Sequence, residues 1–165
     1  MPHLCSLVAL VAVSAASFQS QAPKPHPEEA AILAVIDKFM DAITNNDTAL
    51  MAEIRAKDGS TITSRTGQDG NLVVNRRPYN PDAASRGNNR ERYWDPVVHV
   101  RGGIAVVWTP YEFWSNGKTS HCGIDVFDLF KEQGAWKISH AMWTVEPDAC
   151  PSLRPSDPTK LRPVR

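Results

Sequence analysis

Apolar residues in this chain follow two periods, and the change between them separates helix from sheet. From residue 28 to 46, Ile32, Val35, Ile36, Phe39, Met40 and Ile43 recur at the i, i+3, i+4, i+7, i+8, i+11 spacing of a helix with one apolar stripe. Pro27 suits its first turn, Glu28 and Glu29 suit its positive N-terminal end, and Asn45-Asn46 supplies a stop. Asp47 is placed to cap a second, short helix that turns Leu50, Met51 and Ile54 inward. Residues 60–64 alternate like a strand, 67–70 have turn chemistry, and 71–75 return as a hairpin partner. The polar stretch 76–89, with Pro78, Pro81 and Gly87, predicts a loop, either a lid beside a pocket or a plain surface connection. Residues 90–94 read as one helical turn before Asp95-Pro96 opens the next strand.

Over residues 97–145 the period becomes two, which predicts three or four consecutive antiparallel strands. Asn116-Gly117 and Gln133-Gly134 are two-residue hairpin loops in this reading. Ser115 then faces Lys118, Glu112 faces His121, Glu132 faces Ala135 and Phe127 faces His140. One face gathers Trp108, Glu112, Trp114, His121, Asp125, Phe127, Trp136, Ile138, His140 and Met142. The other gathers Val107, Tyr111, Phe113, Cys122, Ile124, Val126, Ala141 and Trp143, so both faces need cover from water.

Composition alters the picture at the two ends. Residues 4–16 are small, apolar and uncharged, the length of a signal-peptide core rather than of a membrane span of roughly 20 residues. Ser14-Ala15-Ala16 and Ser20-Gln21-Ala22 both fit the small-x-small cleavage rule, so residues 1–22 read as an export signal and the protein as periplasmic or secreted. His3 is the only basic side chain ahead of the apolar run, which leaves a buried or anchoring helix as the alternative. Residues 23–27 form a Pro-rich lead-in, 28–146 one domain, and 147–165, rich in Pro and Arg without apolar period, a disordered tail. With 18 basic and 18 acidic side chains the formal charge is zero, which supplies no footprint for nucleic acid or an acidic membrane. Once a signal is removed, no membrane segment remains. Cys122 and Cys150 are then an even pair in an oxidising compartment, and the turn at Pro147 brings Cys150 back toward the strand of Cys122. A disulfide and two separate buried thiols both fit.

Two helices, a small hairpin, a connecting segment and a long meander, in that order, resemble the nuclear transport factor 2-like superfamily over residues 28–146. The runs Trp108-Thr109-Pro110-Tyr111-Glu112-Phe113-Trp114, Ser120-His121-Cys122-Gly123-Ile124-Asp125 and Gly134-Ala135-Trp136-Lys137-Ile138 are similar to its exported SnoaL-like branch. The resemblance implies a cone-shaped α+β fold, a curved antiparallel sheet wrapped by N-terminal helices, and with the apolar second face it implies a homodimer. Ketosteroid isomerases, scytalone dehydratases, polyketide cyclases and limonene epoxide hydrolases use that fold, as do non-catalytic binding modules, so fold alone selects no activity.

Among ionisable groups, His121 stands out as a general base, with Asp125 or Glu112 to orient it, because a carboxylate beside an imidazole in a dry cavity poises it near neutral pH. Trp108, Trp114, Phe127, Trp136, His140 and Met142 are the expected ligand-lining residues, although each aromatic also suits a core. His121, Asp125, His140 and Glu112 lack the local spacing of a zinc site, so neither metal nor cofactor is assigned. These features lead first to a domain that binds a small apolar molecule. A cofactor-free isomerase, dehydratase or cyclase is the alternative, and a dimeric interaction domain the third.

Overall fold

The N-terminal stripe forms helix α1 (Glu29–Asn45), with Ile32, Leu33, Ile36, Phe39 and Met40 buried along one side. This is the computed structural model of the chain, which describes residues 24–80 and 87–163. The expected signal at 1–22 lies outside the described residues. Helix α1 stops where Asn46 turns left-handed, at φ 53°, and its N–H meets the carbonyls of Ala42 and Ile43. Asp47 Oδ1 accepts the Leu50 N–H at 2.9 Å and starts α2 (Thr48–Ile54).

Among the described residues seven strands follow: β1 (Arg55–Thr66), β2 (Leu72–Pro78), β3 (Asn89–Tyr93), β4 (Val97–Arg101), β5 (Ile104–Ser115), β6 (Lys118–Glu132) and β7 (Ala135–Val145). They form one curved sheet in the order β2-β1-β7-β6-β5-β3, with β4 also on β5. Every pair is antiparallel except β1 with β7. Helix α1 covers the inner face, where Phe39 meets Phe127 edge-on with ring centroids 5.0 Å apart. Such a pair contributes about 0.5–1.5 kcal/mol beyond its area burial. Val107, Tyr111, Leu129, Ile138 and Ala141 complete this core.

Three expectations are corrected. Residues 90–94 are not a helical turn, because Asn89–Tyr93 pairs with β5 as a strand. Its inward residues are Asn89, Glu91 and Tyr93, a polar set that hides the alternation. The hairpin loops form as expected, with Asn116, Gly117, Gln133 and Gly134 all at positive φ and with Ser115 opposite Lys118 and Glu132 opposite Ala135. Beyond the loops the register slips, because β6 bulges at Ser120 and β7 bulges at Ser139. His121 therefore faces Phe113 rather than Glu112, and His140 faces Asp128 rather than Phe127.

The third correction concerns the C-terminal segment, which is ordered through Pro163 rather than disordered. Cys150 begins a short helix, α3 (Cys150–Leu153), and is joined to Cys122 with a Cα–Cα distance of 5.0 Å. Trp94 Nε1 donates to the Leu153 carbonyl at 2.8 Å. Farther on, Arg162 pairs with Tyr93 as an extra bridge and donates to Asp37 of α1 at 2.7 Å, while Tyr93 Oη donates to the other Asp37 oxygen at 2.7 Å. The segment is held by a disulfide and by hydrogen bonds from scattered residues, none of which needs an apolar period in the segment itself, so hydropathy does not reveal it.

Candidate ligand cavity

A cavity of about 190 Å³ lies between the end of α1 and the inner face of the sheet. Phe39, Ile43, Phe113 and Trp143 supply its apolar walls. Glu91, Tyr111, His121 and Asp125 supply its polar groups. Gly123 makes the geometry possible. A Cβ there would collide with the Thr144 carbonyl and the Tyr111 ring, so only glycine lets that ring lie against β6. The Tyr111 hydroxyl then donates to the Thr144 carbonyl at 2.7 Å. Burial, with Asp125, Glu91 and Glu146 nearby, raises its pKa and keeps the phenol protonated.

Curvature brings Glu91 of β3 against Asp125 of β6, although β5 lies between them. Asp125 is 3% exposed and Glu91 7%. Their carboxyls hydrogen-bond to each other, and among the described residues neither has a Lys, Arg or His ion-pair partner. Two buried carboxyls in contact cannot both ionise cheaply. Burial pushes Glu91 up to about 7, and burial together with the Glu91 charge and hydrogen bond raises Asp125 well above its ordinary value. The pair thus retains a proton at neutral pH, shared between the two carboxyls. Among the described residues Asp125 Oδ2 has no hydrogen-bond partner.

His121 stands on the same cavity wall, stacked on Phe113 at 5.2 Å and edge-on to Tyr111 at 5.7 Å. Its Nδ1 lies 3.0 Å from Ser120 Oγ, on the bulge residue. Burial lowers its pKa, so the imidazole is neutral at pH 7. Neither Asp125 nor Glu112 orients this ring, which corrects the sequence-based assignment.

Glu112 instead points to the outer face, where the C-terminal segment covers it completely, at 0% exposure. Arg92 Nη2 reaches it at 3.1 Å, Arg154 Nε at 3.1 Å and Thr119 Oγ1 at 2.6 Å, and a second Arg154 nitrogen also bonds it. Burial opposes its ionisation, but hydrogen bonds from Arg154, Thr119 and Arg92 prevail and hold its carboxyl below the usual range. The same outer face carries Trp114, with the Arg92 guanidinium 4.3 Å over its ring.

The other expected lining residues also lie elsewhere. Trp108 is 51% exposed, paired with Val97 on the outer face. Met142 is on that face as well, between Val126 and Ile62. His140 is half-exposed, with Nδ1 2.9 Å from Ser139 Oγ and 3.9 Å from Asp128. Phe127 is filled core against Phe39, and Trp136 is buried with Nε1 donating to Glu28 at 2.9 Å. The sheet faces expected from two regular hairpins are therefore mixed, and Val107, Tyr111, Phe113, Ala141 and Trp143 belong to the inner side.

His121, Asp125, His140 and Glu112 do not converge, so they cannot share a metal ion. Glu112, Cys122 and Cys150 do lie together, but the two sulfurs are bonded to each other and offer no thiolate. Glu91, which sequence reading missed, is the partner that gives Asp125 its chemistry. The alternation Asn89, Glu91, Tyr93 against Arg90 and Arg92 is the signal that could have found it.

No family model matches the chain, and no curated protein matches it. Solved structures do. A nuclear transport factor 2-like protein of Cytophaga hutchinsonii is 19% identical, with TM-score 0.55 over 73% of this chain and 99% of its own. Another from Salmonella enterica is 19% identical, with TM-score 0.54 over 70% and 88%. A Nostoc punctiforme protein of unknown function with a cystatin-like fold gives TM-score 0.55 at 11% identity, over 73% and 92%. The chain thus has the nuclear transport factor 2-like fold. At such identities the likeness is one of fold, and the cavity must supply the chemistry.

Proposed function

We propose that this domain binds a small, mostly apolar molecule, one polar end of which meets Asp125 and His121. The observation that carries this reading is an apolar cavity lined by His121 and by Asp125, a buried carboxyl whose Oδ2 lacks a hydrogen-bond partner among the described residues. Leaving a buried polar atom unsatisfied costs about 1–3 kcal/mol, which a ligand hydroxyl or N–H would recover. The volume is below the roughly 300–1,000 Å³ of sites for drug-sized ligands, which favours a small occupant. Native mass spectrometry of protein from an exporting host, followed by analysis of released small molecules, tests occupancy. His121→Ala should weaken binding of the released compound about tenfold and leave the melting temperature nearly unchanged. Equal affinity in both proteins would sink the reading.

Catalysis is the second reading, favoured by one observation: a neutral imidazole and a proton-holding carboxyl pair line the same mostly apolar cavity. In an isomerase, dehydratase or cyclase, His121 would take the proton and the Asp125–Glu91 pair would donate one to oxygen. Turnover should then vanish in His121→Ala while folding persists. The disulfide supports an exported location, since such bonds persist in oxidising compartments. A homodimer would use the outer face, where Val97, Ile104 and Trp108 are exposed together.

A further inference from the structure

Trp143 belongs to two spaces. One side of it walls the cavity with Asp125, and it also lines an open cleft of about 470 Å³ with Thr63, Arg65, Asn75 and Arg77. Strand register explains why. Asp125 pairs with Trp143, Trp143 with Thr63, and Thr63 with Asn75, so one row of inner-face residues runs from β6 across β7 and β1 to β2. At about 4.8 Å per strand, Thr63 lies roughly 10 Å from Asp125 along this row. Arg65 and Arg77 flank the row on β1 and β2, two residues from Thr63 and Asn75 respectively. Alternation puts both guanidiniums on the row's own face. Among the described residues neither arginine has a carboxylate partner. Unpaired arginines beside an aromatic floor are suited to a planar carboxylate, which they grip bidentately.

We propose that the bound molecule is an amphipathic carboxylic acid, whose hydroxyl-bearing apolar end enters the cavity while its carboxylate rests between Arg65 and Arg77, with Trp143 under the chain that joins them. This rests on the cavity reading and adds the class of ligand. The indole supplies apolar surface without polar cost along the span, and the two cations set the polarity of the molecule relative to the sheet.

Calorimetric titration with 8-hydroxyoctanoate and its neutral counterpart 8-hydroxyoctanamide separates the terms, because both have the same length and the same hydroxyl end. The acid should bind at least tenfold more tightly than the amide at low ionic strength, with the ratio shrinking as salt is added. The double variant Arg65→Gln/Arg77→Gln, at exposed positions, should reduce the ratio to near one while the affinity for the amide stays as it was. Equal binding of acid and amide by the unaltered protein overturns the inference and leaves the cavity reading standing. So does an acid preference that survives in the double variant. Binding of neither probe defeats the cavity reading and the inference together.

Discussion

Glu91→Gln should make this protein more stable at alkaline pH, although it alters a buried, hydrogen-bonded side chain. In the folded protein Glu91 is raised from an ordinary 4.5 to about 7, so the folded state binds its proton more tightly than the unfolded chain does. Stability must then fall with rising pH, since the unfolded state holds fewer protons across that interval. The group's contribution is intact below pH 4.5 and is lost by about pH 7. At 1.36 kcal/mol per unit, the shift corresponds to about 3 kcal/mol. Glutamine keeps the shape and can still hydrogen-bond Asp125, but it has no proton to lose. Asp125 would still titrate in the variant, held up by burial but no longer by the Glu91 charge. Guanidinium unfolding of both proteins at pH 5, 6, 7 and 8 is the assay. The two should be close at pH 5, and the variant should lead by about 3 kcal/mol at pH 8. A wild-type profile that stays flat or rises over this range, or a variant with the wild-type slope, would refute the shared-proton account of the cavity.

Other outcomes follow from the outer face and the C-terminal segment. Glu112→Gln should cost about 1–3 kcal/mol at pH 7, because it removes the charged acceptor that Arg92 and Arg154 share, while their own partial exposure lets water screen what is left. Its pH dependence has the opposite sign to that of Glu91. The Glu112 carboxyl is depressed by its partners, so its contribution is present above its ordinary 4.5 and lost as pH falls through the folded value. The penalty in denaturant unfolding should accordingly shrink in strong acid, and a constant penalty would argue against an ionised Glu112. The Cys122–Cys150 bond spans 28 residues, for which loop-closure entropy gives about 3.5 kcal/mol. Reduction should lower the unfolding midpoint accordingly. Intact mass after alkylation without reductant should show neither of these cysteines labelled.

The α1 stripe and both Gly-containing hairpin loops were legible in the sequence because each depends on local chemistry: apolar spacing in one, positive φ in the other. His121 and Asp125 were legible for the same reason, as polar residues amid a strand pattern. Glu112 was not, because its assignment depended on counting residues from a turn through a strand that bulges. Both bulges fall on a Ser-His pair, with the serine hydroxyl 3.0 Å from His121 Nδ1 and 2.9 Å from His140 Nδ1. A serine that can bond its neighbour's ring gives the backbone a local alternative to regular pairing. Recurrence of the dipeptide was therefore a clue. Glu91 escaped because strand β3 buries Asn, Glu and Tyr, so no apolar period marks it. The C-terminal segment escaped because a disulfide and polar contacts hold it, and neither needs a hydrophobic repeat.

The extra residue at Ser120 carries a consequence for how such a domain changes over time. In a regular strand Thr119 and His121 would point the same way, yet here Thr119 bonds the ionised Glu112 outside while His121 faces the proton-holding pair inside. One inserted position therefore lets a single strand serve two compartments of opposite proton affinity. Substitutions outside the Ser120-His121 dipeptide leave that phase unchanged, because exchanging a side chain neither adds nor removes a backbone position. The chemistry of this cavity is written partly in chain length, and gain or loss of one codon is the natural step by which a relative would acquire the imidazole or part with it.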